Sequence, residues 1–149
     1  MDKWSVGVVA YCLMPNHFHL LLRAEADATV SMFMQGVGTA YAQWFNHQLD
    51  RVGPVFAGRF RARQVSTEAQ LVHTARYIHR NPLEAGLVSR LADWPYSDYP
   101  ELLGVRPAKF RGRSLVPDRF ATATTYQAFV EGGADFPEVP PLDFREVRP

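Results

Sequence analysis

The spacing of apolar and polar residues divides the first fifty residues into a hairpin and a helix. Residues 4–13 are rich in Val with Trp and Tyr, which predicts a strand. Pro15 and Asn16 are turn formers, and residues 17–23 continue as the second strand. From Thr29 to about Asp50 the apolar residues recur at three- and four-residue steps, which predicts a helix. Its stripe of Met and aromatic residues is interpreted as core.

A second pair of elements follows. Residues 55–65 read as a strand, in which Arg59, Arg61 and Arg63 share one face by the two-residue period. Such a row is natural against a phosphate backbone, although a solvated sheet face accounts for the same residues equally well.

Residues 67–81 predict a helix that Ser66 or Thr67 caps. One turn is 3.6 residues, so Tyr77 and Asn81 lie on one stripe together with His73. Pro82 disfavours helical geometry at the preceding residue, so the helix is expected to end at or near Asn81.

The first chemical candidate is His17-Phe18-His19, at the start of the second strand. Alternate residues of a strand share a face, so the two imidazoles point the same way and form a potential metal-binding pair. The alternatives are two ordinary strand-end histidines or a structural zinc site with Cys12 as third ligand. The zinc alternative lacks the paired ligand spacings of common zinc modules.

Composition narrows the class of protein. With 149 residues and 47% hydrophobic content, the chain is long enough for one globular domain. The net charge is +1, but the basic residues are almost all arginine, which suits phosphate contacts. The single Cys excludes an internal disulfide, no apolar run reaches membrane-spanning length, and the N-terminus lacks a signal-peptide layout. We therefore expect a cytoplasmic protein without a membrane partner.

Two stretches resemble signatures of the small single-tyrosine HUH transposases, where HUH denotes His, hydrophobic, His. They are LMPNHFHLLL at residues 13–22 and RYIHRNPLEAGLV at residues 76–88. The most similar branch is that of the REP-associated tyrosine transposases, which act on repetitive extragenic palindromes. The segments around Gly58-Arg59-Phe60 and at residues 94–99 are similar to further family segments.

This resemblance implies an α+β fold with a ferredoxin-like antiparallel sheet and helices on it. Residues 1–131 would form the catalytic domain, and residues 132–149 a proline-rich tail. Tyr77 would be the nucleophile, and His17, His19 and Asn81 would hold Mg or Mn. The arginines expected to contact DNA are Arg59, Arg61, Arg63, Arg76 and Arg80.

The implied activity is metal-dependent cleavage and strand transfer on single-stranded, hairpin-forming DNA through a 5′-phosphotyrosine intermediate. The protein would act as a monomer or a homodimer. Family members usually have a further strand and helix before the hairpin, and we expect this chain to lack them, as a fragment, a mis-started frame or a decayed copy would. A catalytically impaired or domesticated DNA-hairpin-binding protein and a phosphodiesterase that uses water are the alternatives.

His73 and His79 are candidates for the general base that accepts the phenolic proton, alongside metal-bound water.

An aromatic cluster follows the second helix. Its members Trp94, Tyr96 and Tyr99 could stack on unpaired nucleobases, but such a cluster is more typical of a core. The basic run at residues 106–113 is a candidate for phosphate contact, and residues 126–132 are expected to form a short C-terminal helix.

Overall fold

The structure, a computed structural model, describes residues 6–24, 27–108 and 119–132. Its elements in chain order are β1 (Val6–Leu13), β2 (Phe18–Ala24), α1 (Asp27–Gln48), α2 (Glu68–Glu84), a 3-10 turn (Leu91–Asp93), α3 (Tyr99–Leu102) and α4 (Ala123–Glu131). The antiparallel hairpin combined with helices confirms the predicted α+β class. Apart from Gly132, the predicted proline-rich tail lies outside the described residues.

The chain divides into two compact units, each described by itself. Within the described residues, the first comprises residues 6, 24 and 27–63, and the second comprises residues 7–23, 64–108 and 119–132. Among the described helices of both units, none is at once long and apolar enough to cross a bilayer.

The hairpin of β1 and β2 is the frame of the second unit. The Met14 amide donates to the His17 carbonyl at 2.8 Å and closes a turn with Pro15 and Asn16 at its centre. This bond sets the register, because it places Met14 opposite His17 and Cys12 opposite His19. Opposite residues of an antiparallel pair share a face, so His17 and His19 lie on the face of Cys12.

A short extended segment pairs with the other edge of β1. Ser97 bridges antiparallel to Cys12, and the Leu13 amide donates to the Tyr96 carbonyl at 2.8 Å. Arg106 covers the outer side of this segment, because its guanidinium donates to the carbonyls of Pro95, at 2.6 Å, and of Ser97. Arg106 therefore has a structural role, and its predicted phosphate contact stays a prediction. Residues 109–113 of the same run lie outside the described residues.

Helix α2 begins as the sequence predicts and ends later. The Thr67 side chain accepts from the Gln70 amide at 3.1 Å and caps the first turn. The helix then passes through Pro82 to Glu84, so the expected end at Asn81 is wrong. Pro82 removes one helical hydrogen bond, but its ring is fully buried and the Ala85 amide still bonds to the Asn81 carbonyl at 2.9 Å.

The core of the second unit lies where β1, α2 and α4 meet. Every element of the second unit contributes to this core. Its residues include Val9, Ala10, Ala75, Ile78, Leu91, Tyr99, Tyr126, Phe129 and Val130. Helix α4, which confirms the expected C-terminal helix, begins with a capping box between Thr122 and Thr125.

A buried polar network crosses this core. The Nε2 atom of His79, in α2, lies 2.9 Å from Asp98 Oδ1. The Nδ1 atom of the same ring lies 2.7 Å from the Tyr126 hydroxyl. The same Asp98 oxygen accepts the Tyr11 amide of β1 at 2.8 Å. One carboxylate oxygen thus links the hairpin, the α2 helix and, through His79, the α4 helix.

The first unit differs from prediction at its helix. α1 was expected to bury its Met and aromatic stripe, but among its described residues only Met34 ranks as buried. Met32, Val37, Tyr41 and Trp44 are exposed. Apolar periodicity predicted the helix correctly, and its interpretation as a core stripe was wrong for Val37, Tyr41 and Trp44.

The strand predicted at residues 55–65 does not form; these residues are irregular. Phe56 packs its ring on Tyr41 of α1, with centroids 5.8 Å apart, instead of facing a sheet. Arg59, Arg61 and Arg63 are exposed in this segment, so they form no row on a strand face. The two-residue repeat of residues 55–65 is not enough to form a strand, because the apolar side chain of Phe56 packs on helix α1 instead.

Asp98→Ala should lower the free energy of unfolding by about 2–4 kcal/mol, because it leaves the Tyr11 amide and the His79 ring without their shared acceptor. Asp98→Asn keeps an acceptor oxygen and should cost less. Urea denaturation followed by tryptophan fluorescence measures both. The control is Asp93→Ala, which removes an exposed 3.9 Å pair with Arg90 and should cost less than about 0.5 kcal/mol. Equal losses for Asp98→Ala and Asp93→Ala would contradict the network's role.

Candidate functional site

Two histidine rings meet at the turn of the hairpin. The His17 and His19 ring centroids lie 4.9 Å apart with the ring planes at 85°. His17 is exposed at the end of the turn, whereas His19 is partly buried in β2. The strand register brings both rings to one face, as the sequence predicts.

Helix α2 presents two more polar side chains to the same place. The Tyr77 ring stands edge-on to the His19 ring, with centroids 5.4 Å apart. One turn later, the Asn81 amide nitrogen donates to the Tyr77 carbonyl at 2.7 Å. A carbonyl can only accept, so this bond directs the Asn81 Oδ1 away from the helix backbone. The Asn81 side chain is also close enough to His19 to affect its pKa.

These contacts act on the protonation of His19. Burial lowers the pKa of His19, and the neighbouring His17 lowers it further, while the Asn81 side chain opposes both effects. A lowered pKa favours the neutral imidazole, which is the form that has a lone pair to give to a metal.

Asn16 is a neighbour of the site that the sequence analysis treated only as a turn former. Its Oδ1 lies 2.7 Å from His17 Nδ1. Because an amide oxygen can only accept, Nδ1 must carry the proton, which leaves the Nε2 lone pair of a neutral His17 available. The signal in the sequence was a side-chain acceptor directly before the first histidine.

The residues present fit a divalent metal only if an amide oxygen takes part. Within the described ranges there is no cluster of three or more His, Cys, Asp or Glu side chains that could hold a metal ion. His17, His19 and Asn81 supply two nitrogens and one oxygen, a mixed set that suits a borderline or hard divalent cation.

The alternative zinc site with Cys12 is not formed. Cys12 is fully buried, its sulfur lies 3.8 Å from the Met14 sulfur, and burial raises its thiol pKa to about 12. A thiol must lose its proton to bind zinc, so this environment disfavours ligation.

The histidines considered as bases differ in environment. His79 uses both ring nitrogens in the buried network, which leaves it a structural role. His73 packs edge-on against Phe129 at 5.4 Å, and its pKa is lowered by burial and by Arg76.

Arg76 and Arg80 flank Tyr77 along α2 and bind the end of α4. Arg76 donates to the carbonyls of Phe129, at 2.8 Å, and Gly132, at 2.6 Å, and Arg80 donates to the Val130 carbonyl at 2.9 Å. The guanidinium groups thereby satisfy the carbonyls that a helix leaves open at its C-terminus. Their predicted contact with DNA stays a prediction.

The aromatic residues near position 96 separate into different environments. Tyr99 is buried and donates from its hydroxyl to Glu131 at 2.8 Å, so it belongs to the core as predicted. Trp94 donates to the Leu13 carbonyl at 3.1 Å and packs against the core. Tyr96 is exposed, and it pairs with Leu13, whose register places it on the sheet face opposite His17 and His19.

Comparisons with known proteins show which family the chain resembles. A family model described as "Transposase IS200 like" matches residues 1–81. A protein of Haemophilus influenzae named REP-associated tyrosine transposase is 28% identical over 108 residues, which is 66% of this chain. The match spans 61% of that relative's length. The comparison with solved structures gave no significant match.

The Cys12 thiol should be unreactive in the folded protein. We expect Ellman's reagent near pH 8 to modify it slowly, because burial removes access and raises its pKa to about 12. The same reagent in guanidinium chloride should titrate one thiol per chain, since the sequence has one Cys. Fast modification of the native protein would contradict this environment.

Proposed function

This chain belongs to the IS200-like transposase family, and from that membership we propose that it cleaves and rejoins single-stranded DNA with Tyr77 as the nucleophile. The observation that carries the proposal is the 5.4 Å approach of the Tyr77 and His19 rings, with His17 and Asn81 beside them. These residues come from two elements about sixty positions apart, and hydrogen bonds hold both elements in place.

Tyr77 is suitably placed to attack a phosphodiester. Tyr77 is 41% exposed, so a DNA backbone can approach this residue from solvent. Attack would form a bond from the Tyr77 oxygen to phosphorus and release a 3′-hydroxyl, which leaves the 5′ end covalently attached. The bound phosphodiester conserves the energy of the broken bond, so another 3′-hydroxyl can restore a continuous strand.

His17, His19 and Asn81 would hold Mg or Mn. When bound, such an ion supplies positive charge that polarises the scissile phosphate and offsets the charge that develops on it. Asn16 would orient His17, and the bond from Asn81 to the Tyr77 carbonyl would keep its amide oxygen directed towards the site.

The hairpin-forming character of the DNA is proposed from the relative's name, which mentions REP elements. A protein that binds DNA hairpins without cleaving them is the second candidate function. Hydrolysis by an activated water is the third, since the same residues could position a water in place of the phenol.

Tyr77→Phe should abolish the covalent protein–DNA adduct. It removes the oxygen that bonds to phosphorus and leaves the ring that packs against His19. The assay incubates the protein with a 5′-labelled and a 3′-labelled single-stranded palindrome and Mn, followed by denaturing gel electrophoresis. Tyr96→Phe is the matched control, because Tyr96 is exposed as well and lies on the opposite sheet face.

The outcomes separate the three functions. Adduct in the unsubstituted chain and in Tyr96→Phe but not in Tyr77→Phe supports strand transfer. Cleavage that survives Tyr77→Phe indicates hydrolysis, and binding without cleavage by the unsubstituted chain indicates a binding protein.

Asn16→Ala should weaken Mn binding by about tenfold, because the loss of a partner that orients a ligating histidine typically costs 10–100-fold in affinity. Asn16→Asp keeps an acceptor and should bind Mn at least as well as the unsubstituted chain. Titration followed by the electron paramagnetic resonance of free Mn measures both without DNA. Gln64→Ala, an exposed amide in a loop, is the control. Unchanged affinity in Asn16→Ala would show that Asn16 does not orient His17.

A further inference from the structure

The first unit carries a group of aromatic rings on the C-terminal half of α1. Tyr41 stands at its centre, with the rings of Trp44, Phe45 and Phe56 each at a centroid distance of 5.8 Å. We call these four residues the aromatic face. The rings of Trp44, Phe45 and Phe56 are inclined at 30° to 42° to the ring of Tyr41.

The loop after α1 supports this face. The Asn46 side chain donates to the Gly53 carbonyl at 2.9 Å and the Arg51 amide donates to the Asn46 carbonyl at 2.9 Å. These bonds return the chain towards the helix, so that Phe56 reaches the helix surface at Gly38. The face is therefore formed by a folded segment of the first unit alone.

The aromatic face is open to solvent. Trp44 is 57% exposed and Tyr41 is 44% exposed, and Phe60, further along the same segment, is 41% exposed. Rings in a core lie below a tenth of that exposure, as Tyr99 and Tyr126 do. Clustered exposed aromatic surface of this kind marks an interaction site more often than single exposed residues do.

The charged residues of the same segment indicate what kind of partner the aromatic face binds. Between residues 29 and 63 the basic residues are Arg51, Arg59, Arg61 and Arg63, and Asp50 is the acidic one. The Arg51 guanidinium lies 5.6 Å above the Phe45 ring, and the other three arginines are exposed on the segment that contains Phe60. A partner that offers flat apolar surfaces together with regular negative charge fits this surface.

We propose that the aromatic face binds unpaired nucleobases of single-stranded DNA, with the arginines on the backbone phosphates. Base stacking on exposed aromatic rings beside a basic segment is how proteins hold single strands without reading their sequence. The choice of DNA as the nucleic acid rests on the proposed function. A second copy of the chain fits less well, because a two-fold interface on this surface would bring two copies of the same arginine-rich surface together.

Binding of a fluorescein-labelled single-stranded oligonucleotide without hairpin potential, followed by anisotropy, tests the surface. All variants carry Tyr77→Phe, so that cleavage does not enter. Trp44→Ala and Tyr41→Ala should each weaken binding by between about fivefold and a hundredfold, the range for the loss of one stacked base. Trp44→Phe keeps a ring and should restore most of the affinity. The control is Val105→Ala, which shortens an exposed apolar side chain of the second unit and should change affinity less than about twofold.

The salt dependence separates stacking from charge. Each phosphate contact to a single strand contributes a slope of about 0.7 in the logarithm of affinity against the logarithm of salt concentration. Arg61→Ala should reduce the slope by about this amount. Trp44→Ala should leave the slope unchanged and lower the affinity by the same factor at every salt concentration. Circular dichroism and thermal unfolding show that each variant is folded.

Two results would overturn the proposal. One is equal affinity for Trp44→Ala and Val105→Ala. Another is a dimer, seen by light scattering, that Trp44→Ala dissociates without weakening DNA binding, because the face would then bind a second copy.

The proposed function is judged by a different measurement. Binding that depends on Trp44, without a covalent adduct in the chain that keeps Tyr77, would support the surface and refute strand transfer. Adduct formation together with binding that is indifferent to Trp44 would refute the surface alone.

Discussion

The second unit depends on one buried carboxylate. Asp98 Oδ1 accepts the Tyr11 amide from β1 and pairs with His79 from α2, and His79 in turn meets the Tyr126 hydroxyl of α4. Buried polar groups that find partners in three elements specify how those elements meet, since any other arrangement leaves them unsatisfied. Because His79 lies two residues after Tyr77, the network that orients the core face of α2 also sets the direction of its opposite face.

The proposed reaction uses that opposite face. Tyr77 is exposed and Asn81 is partly exposed, while Ile78 and Pro82, their neighbours in the helix, are buried. Arg76 and Arg80 add a second restraint by binding the C-terminal carbonyls of α4. A helix that carries the proposed nucleophile, facing a hairpin turn that carries the histidines, would limit the entropy lost if a phosphate were bound between them.

The sequence predicted those features that short-range physics determines. The hairpin turn at Pro15-Asn16, the strand parity of His17 and His19, and the single helical turn between Tyr77 and Asn81 follow from local geometry. Features that depend on partners distant in sequence were missed. Residues 55–65 form no strand because Phe56 packs on α1. Helix α2 continues past Asn81 because Pro82 is buried. The role of Asp98 was missed for the same reason, since its partners Tyr11 and His79 are distant from it in the sequence.

The central claim is that the phenol of Tyr77 and the imidazoles of His17 and His19 share one divalent-metal site. Nuclear magnetic resonance of the protein with labelled tyrosine and histidine rings measures this directly. Substoichiometric Mn should broaden the ring signals of Tyr77, His17 and His19 more strongly than those of Tyr96, and this effect should be lost in the variant His17→Ala with His19→Ala. Sharp Tyr77 signals at Mn concentrations that broaden the two histidines would contradict the account.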